Sequence, residues 1–433
     1  MKTIILFLFA AMLSVQILAT PVVIYVTPTG SSDVSVNGLS WGNAVSLSRA
    51  RNLVNYYNTQ TTPVENQIWM KGGTYDLTAV FQINIPIVMY GGFAGTETLL
   101  TQRDWANNPT ILNQTAAAMV IWGNLEYDVL LDGLILQGGR PASGANGCGQ
   151  ISNGTTLRNC IIRNNKAVTN SGALTAYQVS AATKIVVIEN CLIINNESGT
   201  APSALTINVP NSSIINTTIS NNLCTTSGVT SAVTGAAIAY NVYNSIINNN
   251  YNVSTLAKSL SDNVNKIVNN TAWDFAAVDG TKTSCVLLAT SPFVAATSFY
   301  GAANGTDKLF AAIESADFRL ASNSTCINAG NNSLTTTDKD LAGLARIEGS
   351  FIDLGCYESS IATKLAKEVK INSLRVIANE IQLPESAIGK KITVYNPNGE
   401  LVQSFTAQTL KFALSVKGVF IVKISSDVYK VML

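Results

Sequence analysis

Four stretches of this chain can be laid over one another without a gap: Leu157-Arg-Asn-Cys-Ile-Ile-Arg-Asn-Asn165, Ile188-Glu-Asn-Cys-Leu-Ile-Ile-Asn-Asn196, Ile214-Ile-Asn-Thr-Thr-Ile-Ser-Asn-Asn222 and Asn244-Ser-Ile-Ile-Asn-Asn-Asn250. An earlier copy, Leu130-Leu-Asp-Gly-Leu-Ile-Leu-Gln-Gly138, joins them. With Asp132, Asn159, Asn190, Asn216 and Asn244 taken as equivalent, the copies are spaced by 27, 31, 26 and 28 residues. A period in that range marks stacked units, none of which buries its apolar side alone. Inside each copy the apolar period is two, and the run ends in Asn-Asn, which reads as a short strand entering a turn. Parallel strands cannot be joined by hairpins, so strands returning at this spacing are expected to form coils stacked on coils.

The alignment assigns side chains to faces. The inward columns are expected to be Gly133, Cys160, Cys191, Thr217, Ser245 and then Ile135, Ile162, Ile193, Ile219, Ile247. The outward columns are then Leu134, Ile161, Leu192, Thr218, Ile246 and Leu136, Arg163, Ile194, Ser220, Asn248. A single charge stands among those ten outward positions, so the face is expected to lie under a loop or against a partner. Asn165, Asn196, Asn222 and Asn250 are expected to stack as an amide ladder, and Asn also tolerates the left-handed backbone of a sharp turn.

Composition removes several classes of function. Charged residues make up 12% of the 433, the net charge is +1 and there is no histidine. Nucleic-acid binding would need a basic stripe, and disorder would bring more charge and fewer β-branched residues. The seven cysteines lack CxxC spacing, which with the missing histidine argues against a zinc site. Most are expected to be buried thiols, with a Cys326–Cys356 bridge as one candidate pairing in an oxidising compartment.

At the start, Lys2, the apolar run Ile4 to Leu13 and Ala19 or Thr20 read as a cleavable leader over residues 1–20. The run is short for a membrane span, so no transmembrane segment is expected in the mature chain.

Three further stretches carry a family resemblance. Tyr25-Val-Thr-Pro-Thr-Gly30, Gly38-Leu-Ser-Trp-Gly-Asn-Ala44, Ile68-Trp-Met-Lys-Gly-Gly-Thr-Tyr75 and Ile87-Val-Met-Tyr-Gly-Gly-Phe-Ala-Gly-Thr-Glu97 resemble the opening of secreted right-handed parallel β-helix proteins of the pectate-lyase-like superfamily. The resemblance implies a capping helix near Asn43 to Tyr57 and makes Trp41 and Trp69 cap and core residues rather than sugar platforms. Ala329-Gly-Asn-Asn-Ser333, Asp338 through Arg346 and Asp353-Leu-Gly-Cys-Tyr-Glu358 resemble the tail that closes many such helices. Ile392-Thr-Val-Tyr-Asn-Pro-Asn-Gly-Glu-Leu-Val402, Val416-Lys-Gly-Val-Phe-Ile-Val-Lys-Ile424 and Tyr429-Lys-Val-Met-Leu433 resemble the sorting domain of type IX secretion, with that machinery as the implied partner. The expected organisation is therefore all-β: a leader over 1–20, a right-handed parallel β-helix over 21–360 and a small β-sandwich over 361–433.

The family includes polysaccharide lyases, which use an Arg or Lys base with carboxylates holding calcium, and hydrolases with paired carboxylates. The outward columns offer no carboxylate cluster. Other faces stay open: Asp128 and Asp132 lie near Arg140 in the sequence and Arg158 projects beside the strand, Asp132 being expected as a turn residue. Asp338, Asp340 and Asp353 are expected to serve the tail. No catalytic, cofactor or metal residue is assigned. The expectation is a secreted or surface-held, adhesin-like or glycan-binding protein with a polysaccharide or host-matrix ligand. One alternative is a lyase acting on an acidic glycan, with calcium, on loops 95–150 or 255–320; another is a passive envelope component.

Overall fold

The computed structural model describes residues 21–60, 65–179, 183–200, 204–226, 231–235, 239–252, 255–256, 258–260, 266–269, 271–273, 281–288, 292–293, 317–359, 374, 376–377, 380–396, 400–425 and 427–432. The expected leader lies outside them, as do most of residues 255–320. The chain divides into two units, Met1–Ser359 and Ser360–Leu433.

The first unit is a parallel β-helix. Sheet A holds ten strands, from Val23–Ser31 to Thr281–Thr283. Sheet B holds nine, from Gly73–Leu77 to Val286–Leu287, and sheet C seven, from Phe81–Gln82 to Lys258–Leu260. Every pairing within these three sheets is parallel, and each coil runs through C, A and B in turn. Leu157 lies between Leu131 and Ile188 in sheet A, while Ile162 lies between Leu136 and Ile193 in sheet B. These side chains are buried in one continuous core. Each such Leu or Ile contributes about 1.5–3 kcal/mol on leaving water.

At two corners of each coil one residue bends the chain through the left-handed region. Between sheets A and B they are Asn159, Asn190, Asn216 and Asn244, with φ of 52°, 53°, 48° and 48°. After sheet B they are Asn164, Asn195, Asn221 and Asn249, with φ of 56°, 52°, 54° and 51°. Most L-residues lose about 1–2 kcal/mol there, and Asn is among the few that visit it routinely. The earlier coil uses Gly133 and Gly138, at φ 75° and 82°, for the same bends.

The expected amide ladder is present. Nδ2 of Asn165, Asn196 and Asn222 donates to Oδ1 of Asn196, Asn222 and Asn250, each at 2.9 Å. The two jobs given above to one turn residue are divided: the first Asn of each pair bends the backbone and the second stacks.

One register expectation is corrected. Asp132 pairs with Arg158, not with Asn159, so Gly133 is the equivalent of Asn159. Leu134 and Leu136 therefore point inward and are fully buried, whereas Ile135 points outward. A slip of one residue exchanges the faces, and burial of Leu131, Leu134 and Leu136 selects this register.

The helix Leu47–Gln60 caps the first coil, placing Leu47, Ala50, Leu53 and Val54 in the core with Ile24 and Val26. The outward face of sheet B is covered by residues 317–358 of the same chain. Leu192, Ile194 and Ile246 pack with Phe318, Leu320, Leu341, Leu354 and Cys356. Hydrogen bonds fasten the tail: Cys356 N to Thr218 Oγ1 at 3.2 Å, Asn331 N to Asn244 Oδ1 at 2.9 Å and Asn190 Nδ2 to Lys339 O at 3.1 Å. The seven cysteines are unbridged in this structure, Cys326 and Cys356 among them. Burial raises both groups, to about 11 and about 12, and both pack as apolar side chains under the tail.

The second unit is a small β-sandwich of antiparallel strands. One sheet joins Val376–Ile377, Glu380–Gln382 and Lys411–Ala413; the other orders Leu401–Thr406, Lys391–Tyr395, Val419–Ile424 and Asp427–Met432. Ile381, Ile392, Val394, Phe420, Val422 and Val431 form its core. The strands around 392–402 pair as the expected hairpin; its turn, 397–399, lies outside the described residues. Among the described residues no helix is long and apolar enough to cross a membrane.

Candidate ligand-binding cleft

Tyr90, Asp132, Arg158 and Glu189 occupy one register position of four successive sheet A strands. Their inward neighbours Met89, Leu131, Leu157 and Ile188 are buried, so alternation sends these four outward. Strand spacing sets them about 4.8 Å apart, as an aromatic, an acid, a base and an acid in a row. The loop carrying Arg103 and Trp105 lies on one side and the tail segment Thr336 to Lys339 on the other.

Charge is matched residue by residue. Arg103 Nη2 lies 2.7 Å from Asp132 Oδ1, and Asn159 Nδ2 donates to the same oxygen at 2.7 Å. Asn190 Nδ2 donates to Asn159 Oδ1 at 2.7 Å, which continues the row of corner amides. Glu189 faces Arg158 at 3.4 Å and accepts from Thr336 N at 2.9 Å and Thr336 Oγ1 at 2.6 Å. The Arg103 guanidinium lies over both Tyr90 and Trp105, at 4.9 and 4.7 Å from their centroids, and Lys339 stands 5.9 Å from Trp105. Burial, reinforced by Asp132, raises the Tyr90 phenol.

These groups surround a cavity of about 280 Å³. Trp105, whose Nε1 donates to Leu341 O at 3.0 Å, also lines a second cavity of about 400 Å³ together with Arg163, Arg319 and Tyr357. A third, of about 530 Å³, opens on sheet A between Glu65 and Asn66 on one side and Leu130, Thr156 and Arg158 on the other. Arg158, whose side chain is 32% exposed, borders both the first and the third.

The acids and bases singled out in the sequence separate. Asp132 and Arg158 meet in the cleft, and exposed Asp338 lines it. Asp128 is exposed on sheet A, 2.7 Å from Lys184. Arg140 stands apart, beside Gln114, Gln137 and Asn164. Arg163 reaches Gln137 Oε1 at 3.0 Å in the second cavity. Asp340 and Asp353 hold backbone amides inside the tail: those of Leu344 and Glu358 for the first, of Asn328 and Ser359 for the second. Buried Arg346 lies 3.4 Å from Glu358, whose carboxyl is pushed up to about 8 by burial against the opposing pull of that guanidinium. Trp69 stacks on Phe93 at 4.7 Å and 11°, while Tyr25 meets Trp41 and Trp69 edge-on, so these rings are occupied by one another.

Tyr90, Arg103, Trp105, Glu189 and Lys339 were not singled out. Glu189 follows Ile188 in an aligned repeat and was readable as an outward acid. The loop and tail residues have no repeat to place them.

No protein-family model matches the chain, and no curated protein matches it. Among solved structures it is similar to the crystal structure of pectate lyase Pel9A, at 17% identity and a TM-score of 0.36, over 78% of this chain and 97% of that one.

Proposed function

We propose that this chain is an exported β-helix protein that holds a glycan in the corner cleft without cleaving it, and that its C-terminal sandwich is the address read by type IX secretion machinery. The observation that carries the binding reading is the use made of the sheet B face. Its outward Leu192, Ile194 and Ile246 are packed beneath the chain's own tail, so a row of acids for lyase or hydrolase chemistry has no place in those coils. At the corner, the carboxylates of Asp132 and Glu189 are already committed to arginine, amide and hydroxyl partners. What faces the open cavity is recognition chemistry: Arg158, Lys339, Asp338 and Thr337 around Tyr90 and Trp105. Such groups donate to and accept from hydroxyls and acid groups of a sugar chain.

The test is retention of the purified protein on a panel of immobilised neutral and acidic glycans and host matrix, with the same glycans assayed for ultraviolet-absorbing unsaturated uronate. Retention without product, weakened at least tenfold by Arg158→Ala with Lys339→Ala, is expected. Calcium-dependent product would replace this reading with the lyase one. Self-association with indifference to every ligand would replace it with a passive envelope role. For the address, protease shaving of intact cells should release helix peptides and no peptide after about residue 361, a pattern lost in a secretion mutant.

A further inference from the structure

Cys160 and Cys191 hold the same place in consecutive coils, each immediately before a sheet B strand in which Ile161 pairs with Leu192. Both side chains are fully buried. Each thiol donates to the carbonyl two residues back and to one in the preceding coil: Cys160 to Arg158 O at 3.1 Å and Leu131 O at 3.3 Å, Cys191 to Glu189 O at 3.2 Å and Leu157 O at 3.6 Å. Thr217 and Ser245 repeat the first of these contacts in the next two coils, at 2.8 and 2.7 Å. The column is thus a stack of small donors in one orientation, and two neighbours in it carry sulfur. In-register parallel strands lie about 4.8 Å apart, inside the Cα separation of about 4.4–6.8 Å that a disulfide spans, and the Cβ atoms must draw together by a few tenths of an ångström to reach its Cβ separation of about 3.5–4.5 Å. The two side chains point the same way, and thiol hydrogen bonds to carbonyls are weak enough to give up. Burial, reinforced by the neighbouring Cys160, holds the Cys191 thiol well above its ordinary range.

We propose that Cys160 and Cys191 are joined by a disulfide in the mature protein, a staple between two adjacent coils in the middle of the stack. The geometry is independent of the export reading; the oxidising compartment rests on it. The oxidant is a disulfide, of a small thiol compound or of an oxidoreductase. One cysteine thiolate attacks it and releases one thiol, then the second cysteine attacks the mixed disulfide and releases the other. Both cysteines lose a proton, and the donor gains two electrons. Because the folded stack seals both sulfurs, the bond closes while the coils are forming.

The experiment refolds the reduced full-length chain with oxidised and reduced glutathione, or with reductant alone. Remaining thiols are then alkylated in denaturant and the peptides mapped by mass spectrometry. The expected result is a linked Cys160–Cys191 peptide pair lighter by two hydrogens, found only in the oxidised sample, with the other five cysteines alkylated. In Cys160→Ser or Cys191→Ser the partner thiol should be alkylated. Full alkylation of both in folded, oxidised protein overturns the staple, and so does a link from either to Cys148 or any other cysteine. Folded protein taken from its own cells with both thiols free also overturns the staple, and if the same chain cross-links in vitro the failure lies with the compartment and hence with the export reading.

Discussion

Neighbouring asparagines in the corner after sheet B should respond oppositely to the same substitution. Asn222 is fully buried; its Nδ2 donates to Ile193 O at 2.9 Å, Ser220 O at 3.0 Å and Asn250 Oδ1 at 2.9 Å. Its Oδ1 accepts from both Asn196 N, at 3.0 Å, and Asn196 Nδ2, at 2.9 Å. Asn222→Gly strips the acceptor from buried Asn196 N, at about 1–3 kcal/mol, while Asn196 Nδ2 keeps Ile162 O and Ile194 O, and it adds about 0.5–1 kcal/mol of backbone entropy. The loss should be about 1.5–4 kcal/mol. Asn221 is equally buried, yet its amide N and O have no partner among the described residues, and its φ is 54°. Asn221→Gly keeps the bend and removes a desolvated amide, so the gain of about 1–3 kcal/mol offsets the glycine entropy and the protein should be unchanged or slightly more stable. Because stacked coils need not unfold in one step, urea midpoints should be joined by native-state hydrogen exchange over the coils of residues 187–251. Equal losses at both positions would refute the division of labour between bending and stacking residues. A loss below about 1 kcal/mol at Asn222 would refute the ladder's contribution.

Asp132→Ala leaves Arg103 buried without its acid and should cost about 3–5 kcal/mol by urea denaturation, much of it recovered when Arg103→Met is added. Ile193→Ala opens a void in the core and should cost about 2–5 kcal/mol, with faster exchange in the coils on both sides. The Glu358 carboxyl titrates near 8 in the folded tail against an ordinary 4.5. Between those values the folded state holds a proton that the unfolded chain has lost, so stability should fall as pH rises from about 5 to about 8 and level off above. Glu358→Gln should flatten that slope in urea midpoints taken across the range; a slope that survives would place the titration elsewhere.

The coil spacing, the strands and the amide ladder were legible because each recurs: one Asn-Asn is a loop, four in register are a corner. Asp132 was misplaced because Asp-Gly can be aligned on either residue, and only burial of the flanking leucines separates the choices. The tail was recognisable as a closing segment, and the apolar sheet B face called for a cover, but nothing local said that one fits the other. The cleft was half legible. Asp132, Arg158 and Asp338 stood out as charges, while Arg103 and Trp105 come from a loop and Lys339 from the tail, segments whose approach is decided by packing. Glu189 differs from these: alternation past buried Ile188 sends it outward on sheet A, a position its repeat already encodes.

The two bends differ from the third connection of each coil. In the four asparagine coils the count between sheets A and B is constant: Arg158 to Ile161, Glu189 to Leu192, Ile215 to Thr218 and Tyr243 to Ile246 are each one strand end, two residues and a strand start. From sheet C to sheet A the gap is 2 residues after Ser152, 9 after Tyr177 and 5 after Ile207. The longest of these insertions, after Tyr177, therefore sits on one edge of the stack without disturbing the asparagine corners. That edge is a docking rail for insertions: a lengthened loop there changes the rim over sheet A, where Lys184 already reaches Asp128, and leaves the register of every coil below it intact.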